Sequence, residues 1–215
     1  KGLFLGNISG VPPTEIVVIG SDKIAESAAL AATKLGARVK VFSNSIFKLN
    51  KIQKLITNPI YSSTIQKKQL SKALMRCDVA IGTIKSSTSS ESIISEDMVM
   101  KMKKGAIIID VSIDTGGTFE TSELTTHDKP TFEKHNVIHY CVPNIPSRYS
   151  RTSSLCLSNI ITPYLIKSVK FGSFENFIRN NNSFKKGVYL YNGLSTNLII
   201  SQILDIKYNE INNIL

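Results

Sequence analysis

The chain has 215 residues, 42% of them hydrophobic and 20% charged, which suits one large domain or two small ones around a buried core. That balance excludes a disordered tail, and no run approaches the roughly eighteen apolar residues a membrane span requires. The formal charge of +10 comes from 21 Lys and 5 Arg against 16 acids, and with arginine scarce and lysine scattered a nucleic-acid partner is not expected.

The chain starts at Lys1 with no charged-then-apolar leader, so it reads as a cytoplasmic piece excised from something longer. A glycine-rich entry (Gly2, Gly6, Gly10) and the Pro12-Pro13 turn lead into Glu15–Ile19, an apolar run that reads as a buried parallel strand. An alanine-rich helix is predicted from Ile24 to Leu35, stopped by Gly36. Arg38–Phe42 reads as a second strand, followed by a helix from Ser45 to Ile56, an extended piece near Ile60-Tyr61 and a helix from Gln66 to Arg76. Then come a strand from Cys77 to Gly82, a serine-rich loop from Ser86 to Ser92 and a helix near Glu96 to Met102. Ala106–Val111 and Val137–Val142 are the later apolar strands. Strands alternating with helices of this length predict a doubly wound α/β fold, a Rossmann-like parallel sheet covered on both faces, over residues 1–150. From 151 to 215 the pattern becomes a helical return segment. It has a long apolar helix from Ser153 to Lys167, short helices at Phe174–Arg179 and Thr196–Leu204, and a loop at the Asn180-Asn181-Asn182 triplet.

Ligands of such a fold bind at the carboxyl ends of the strands, above the first βα turn. Here that turn is Gly20-Ser21-Asp22-Lys23-Ile24-Ala25. It keeps only the first glycine of the GxGxxG pattern, with Ala25 at the third place and Asp22 at the second. A carboxylate about 5 Å from a phosphate, at an effective dielectric of about 20, opposes it by roughly 3 kcal/mol per charge pair. Lys23 is placed to offset part of that, and Asp22 can instead turn outward to cap the helix. The acidic residue that would hold the adenosine ribose is replaced by Ser43-Asn44, and Lys48 one turn on is the one feature pointing to NADP. Cys77, Cys141 and Cys156 have no CxxC spacing and no paired histidines, so neither a disulfide framework nor a metal site is expected, only small buried hydrophobes.

The segment Asp110-Val111-Ser112-Ile113-Asp114-Thr115-Gly116-Gly117-Thr118-Phe119-Glu120-Thr121-Ser122 is more specific. It continues through Thr125-Thr126-His127-Asp128 and Pro130-Thr131-Phe132 to His139-Tyr140-Cys141-Val142-Pro143-Asn144-Ile145-Pro146. These blocks, with the entry through Pro13 and Arg151-Thr152-Ser153, resemble the nicotinamide-binding domain of alanine dehydrogenases, in the family that includes the proton-translocating transhydrogenases. The resemblance spans essentially the whole chain. It implies the NAD-dependent oxidative deamination of L-alanine to pyruvate and ammonia. It also implies a homo-oligomer and a substrate-binding domain ahead of Lys1, supplying the lysine, histidine and arginine that grip the substrate.

Residue by residue, the resemblance makes Asp114 the active-site aspartate beside the nicotinamide ribose, the alternative being a cap on the Gly116-Gly117 turn. It places Asn144 and Ile145 at the nicotinamide end, Ile84 and Lys85 along the cofactor, and Ser62 toward the adenine. Gly20, Ser21, Lys23 and Ile24 belong to the dinucleotide turn, Ser43 and Lys48 to the ribose, and Val111 and Val142 are further cofactor-binding residues. Thr118, where the family has cysteine, reads as a packing difference. His127 reads as a local turn stabiliser and His139 as a satisfied core histidine. The second functional reading is a degenerate homologue that has lost the dinucleotide and serves a structural or regulatory role. A third is a transhydrogenase subunit, disfavoured by the Asp114-Thr115-Gly116-Gly117 block.

Overall fold

Ile16 to Ile19 present no polar side chain to water, and the computed structural model, which describes residues 2–84 and 92–215, buries all four. They belong to the first of two compact units, Lys1–Arg148 and Tyr149–Leu215. Unit 1 runs β1 (Glu15–Ile19), α1 (Lys23–Lys34), β2 (Arg38–Phe42), α2 (Ile46–Leu55), β3 (Tyr61–Ser63), α3 (Lys67–Leu74), β4 (Val79–Gly82), α4 (Glu96–Val99), β5 (Ile107–Asp110), β6 (Thr131–Lys134) and β7 (Val137–Tyr140). The strands form one sheet in the order β3-β2-β1-β4-β5-β7-β6, all neighbours parallel except β6 against β7. This is the doubly wound architecture, with its switch in strand order at β1, between β2 and β4.

The period of two along β1 sorts the core onto the two faces. Ile16 and Val18 pack with Ala25 and Ala29 of α1, Val39 and Val41 of β2, and Leu49 and Ile52 of α2. Val17 and Ile19 point the other way, into a cluster with Leu70 and Leu74 of α3, Ile108 of β5 and Phe119. Alanines at i and i+4 let α1 lie close to the sheet, which brings its N-terminus over the strand ends. Gly36 adopts φ +91° and ends that helix, as its position predicts.

Three sequence expectations change. Strand β6 is absent from the sequence reading, yet Thr131–Lys134 pairs with β7 through a turn whose residues His135 and Asn136 both have positive φ, 55° and 59°. The asparagine triplet is not a loop: Asn180 ends one helix, the Asn181 side chain caps the next by accepting from Ser183 and Phe184, and Asn182 begins it. Cys156 is exposed, whereas Cys77 and Cys141 are buried. Burial pushes the Cys77 thiol up to about 12 and raises that of Cys141, which suits inert packing. Lys85 and most of the serine-rich loop lie outside the described residues.

Unit 2 contains α5 (Ser150–Lys170), α6 (Phe174–Arg179), α7 (Asn182–Lys185), the hairpin β8 (Leu190–Tyr191) and β9 (Leu194–Ser195), α8 (Leu198–Ile203) and α9 (Ile211–Ile214). Phe177 is its buried anchor, ringed by Phe171, Phe174 and Phe184 at centroid distances of 4.9–6.1 Å. Helix α5 is longer than its sequence pattern predicts and continues through Pro163. Leu157, Ile160, Ile161, Leu165 and Val169 along it are exposed. Among the described residues no helix is long and apolar enough to cross a membrane, and no cluster of His, Cys, Asp or Glu could hold a metal ion.

His139 is fully buried on β7. Its Nδ1 lies 3.0 Å from the Val137 carbonyl, its Nε2 2.8 Å from Thr121 Oγ1, and its ring stacks on Phe132 at 4.8 Å. A carbonyl only accepts, so Nδ1 carries the proton and Nε2 accepts from the threonine hydroxyl. Burial holds the imidazole below its ordinary value, and the unfolded chain therefore takes up a proton that the native state refuses. Stability is predicted to fall as pH drops below about 6.5, the ordinary histidine value. Urea midpoints at pH 7.5 and 5.5 test this: the wild-type midpoint should drop, and a drop of equal size in His139→Gln would show another group responsible.

Candidate functional site

Gly20 follows β1 directly and takes φ +134°, a conformation open to glycine, and a Cβ here would collide with the Thr83 hydroxyl. The chain then enters α1 with Asp22 as its N-cap. The Asp22 carboxylate accepts from Ala25 N at 2.9 Å and from Thr83 Oγ1, also at 2.9 Å, so it is turned into the protein and fixed there. The backbone N–H groups of Ser21, Lys23 and Ile24 find no acceptor among the described residues. Unused donors at the positive end of a helix, beside an unsubstituted glycine, form a cradle for an anion.

A cavity of about 470 Å³ opens in front of this turn, at the switch point between β1 and β4. It is lined by Gly20, Ser21 and Asp22 after β1, Ser43, Asn44, Ser45 and Lys48 beyond β2, and Thr83 and Ile84 after β4, with Ile93. Of the residues the sequence points to, Gly20, Ser21, Ser43, Lys48 and Ile84 therefore meet in one place. Ser43 is buried and already engaged: its Oγ lies 2.6 Å from Ser21 Oγ and accepts from Ser45 N at 3.2 Å. Ser45 and Thr83 are the neighbours sequence reasoning passed over, and their places, at the N-cap of α2 and just beyond β4, are the signal that marks them.

Others of the predicted group lie elsewhere. Lys23 pairs with Glu26 at 2.8 Å, which raises the lysine and lowers the glutamate, so its ammonium is committed away from Asp22. Ile24 is exposed on α1. Ser62 sits on β3 opposite Val41, its hydroxyl accepting from Gln53 Nε2 at 2.7 Å, and it does not line the cavity.

The second half of the site follows β5. Asp110 ends an isoleucine strand with no solvent exposure, and such a carboxylate needs donors. It has five. Oδ1 accepts from Ser112 N and Oγ at 3.2 and 2.9 Å, and Oδ2 from Thr118 N, Phe119 N and Ser122 Oγ at 2.8, 3.2 and 2.8 Å. Gly117, at φ +75°, passes so close that a Cβ would lie 3.0 Å from Oδ2. The Thr118 hydroxyl is 2.9 Å from Ser112 Oγ and 3.3 Å from the Ile84 carbonyl, so this residue does more than pack: it ties the β5 loop to the β4 loop.

Asp114 rides on the loop thus built, in a 3-10 turn from Ile113 to Thr115, and is exposed. It does not cap the glycine turn. The Ser112 carbonyl does that, accepting from Thr115 N, Thr115 Oγ1 and Gly117 N at 2.9–3.0 Å. The Asp114 carboxylate has no hydrogen bond or ion pair among the described residues. Val111 is half-buried after the same strand, and Val142 is buried after β7. Asn144 is exposed beyond it with a left-handed backbone at φ 52°, next to half-buried Ile145. Since β5 and β7 are adjacent and parallel, these groups share the carboxyl edge with the cavity, on its β5 side.

Comparison with known proteins gives the same direction. Residues 1–197 match the family model described as "Alanine dehydrogenase/PNT, C-terminal domain". The chain is 33% identical over 210 residues to an alanine dehydrogenase of Methanococcus maripaludis, covering 97% of this chain and 56% of that protein. It is 32% identical over 212 residues to alanine dehydrogenase 2 of Staphylococcus aureus, covering 98% and 57%. A solved L-alanine dehydrogenase superposes with a TM-score of 0.88 at 27% identity, over 95% of this chain and 56% of that one. A transhydrogenase structure from Sinorhizobium meliloti, 19% identical with a TM-score of 0.68 over 82% and 50%, shares the fold. The chain thus spans about half the length of these relatives.

Proposed function

The chain belongs to the alanine dehydrogenase/PNT C-terminal domain family, and on that footing we propose that it is the cofactor-holding part of an L-alanine-oxidising dehydrogenase. In the complete enzyme L-alanine, NAD and water give pyruvate, ammonium, NADH and a proton. The cofactor supplies the hydride acceptor, and this chain's task is to hold it in register with a substrate gripped by a preceding domain. The first βα turn carries the reading. Gly20 leaves the backbone bare, the Ser21, Lys23 and Ile24 N–H groups are unspent, and the one offending carboxylate, Asp22, is withdrawn into the N-cap. The residues present therefore fit a pyrophosphate. NAD is favoured over NADP, whose sole support is the exposed Lys48. The apolar, exposed length of α5 suits packing against that preceding domain and against other copies in a homo-oligomer.

Calorimetry with NADH tests this on the chain itself, and binding is expected. Asp22→Asn keeps the cap oxygen and removes the charge. At about 8 Å and an effective dielectric of about 20, one charge pair is worth about 2 kcal/mol before screening, so the variant should bind NADH about tenfold more tightly. Heat-free titrations of both proteins would overturn the reading and favour the degenerate homologue.

A further inference from the structure

His127 does not stabilise its own turn. Thr125 and Thr126 do that, through Thr125 Oγ1 donating to the Pro130 carbonyl at 3.1 Å and Thr126 Oγ1 accepting from Lys129 N at 3.2 Å. The histidine instead reaches twenty residues along the chain, its Nε2 2.7 Å from Ser147 Oγ. Ser147 in turn addresses a single group. Its backbone N and its hydroxyl both donate to the Asn144 carbonyl, at 3.0 and 2.9 Å. A serine hydroxyl has one proton, and once that proton is given to Asn144 the oxygen can only accept from the imidazole. The histidine therefore carries hydrogen on Nε2, and the order of donation runs from His127 to Ser147 to Asn144.

The recipient of this chain of donors has an uncommon backbone. Asn144 holds φ 52°, a left-handed conformation that asparagine tolerates better than other side chains and that neighbours can fix in place. Two donors on one carbonyl, the second fixed by a ring from a separate loop, do so here.

We propose that His127 and Ser147 are positioning residues, a clamp that fixes the Asn144 backbone so that its side chain is presented in one orientation to the nicotinamide end of the cofactor. The inference rests on the dinucleotide reading above, with Asn144 at the nicotinamide end. It adds a pair of residues that touch no ligand and act only through Asn144. The Gly20–Ser43 cavity would hold the adenosine half of the cofactor, and neither His127 nor Ser147 lines it. The consequence is therefore lopsided: loss of the clamp weakens the ligand that carries nicotinamide and spares the one that lacks it.

The experiment titrates NADH and ADP-ribose into the wild-type chain and into His127→Phe, His127→Gln and Ser147→Ala, with a melting curve for each. His127→Phe and Ser147→Ala should weaken NADH about tenfold and leave ADP-ribose within about twofold. His127→Gln, which keeps a donor N–H, should recover most of the NADH affinity. Equal losses for both ligands, or none, in folded variants would overturn the clamp while leaving the dinucleotide reading intact. A wild-type chain that binds neither ligand overturns that reading and the clamp with it. If His127→Phe fails to fold, Ser147→Ala and His127→Gln decide alone, and an unchanged NADH affinity in Ser147→Ala counts against the clamp.

Discussion

Asp110→Ala is expected to cost roughly 3–5 kcal/mol of unfolding free energy, a large share of the 5–15 kcal/mol that a domain of this kind has in hand. Five donors converge on its carboxylate with no access to water. Truncation leaves three backbone N–H groups and two hydroxyls without an acceptor, and each unpaired buried donor costs about 1–3 kcal/mol before relaxation and water entry recover part. The neighbouring geometry limits that recovery, because Gly117 passes against Oδ2 and cannot move inward without breaking its own bond to the Ser112 carbonyl. Asp110→Asn should fall between the two, since one amide oxygen still accepts while the NH₂ faces donors. Urea denaturation of the chain measures both. A loss under about 1 kcal/mol for Asp110→Ala would mean that the loop between β5 and Phe119 is held by something other than this carboxylate.

The sheet was legible because its strands are buried on both faces and must therefore be continuous apolar runs, which Glu15–Ile19 and Ala106–Val111 display plainly. Strand β6 was not, because Thr131-Phe132-Glu133-Lys134 is a half-exposed edge of alternating polarity whose pairing depends on a left-handed His135-Asn136 turn. The hairpin β8–β9 hid in the same way, although Asn192-Gly193, with φ 49° and 78°, is the dipeptide such turns favour. At the site, residue types and strand ends pointed to Gly20, Ser21, Ser43 and Ile84, and these four line one cavity. What no pattern conveyed was direction. The Asp22 carboxylate could obstruct a phosphate or cap a helix, and the deciding partner, Thr83, lies 61 residues away on the neighbouring strand end. Asp110 left a readable trace, a carboxylate closing a run of isoleucines, and its meaning as the organiser of the following loop needed the donors to be seen. His127, read as a stabiliser of its own turn, hid its role in a similar way: its partner Ser147 lies twenty residues on.

Asp114→Asn is expected to leave stability unchanged, within about 0.5 kcal/mol, and to lower turnover of the complete enzyme by at least about a hundredfold. The first half follows from what the side chain lacks. The glycine turn beneath it is held by the Ser112 carbonyl and the Asp110 carboxylate, and Asp114 itself is exposed and unengaged among the described residues. The second half rests on the proposed function. Oxidation of an amine at its α-carbon makes the substrate nitrogen and carbon more positive as hydride leaves, and a carboxylate held at that edge favours the change in a way that an amide of the same shape cannot. Steady-state rates and melting curves on the full polypeptide check both parts, and a variant with wild-type turnover would remove Asp114 from the catalytic role. The two aspartates four residues apart then report on separate things. Asp110→Asn should lose stability ahead of any specific loss of rate, because its carboxylate faces inward to donors. Asp114→Asn should lose rate alone, because its carboxylate faces solvent and has none of the loop to hold.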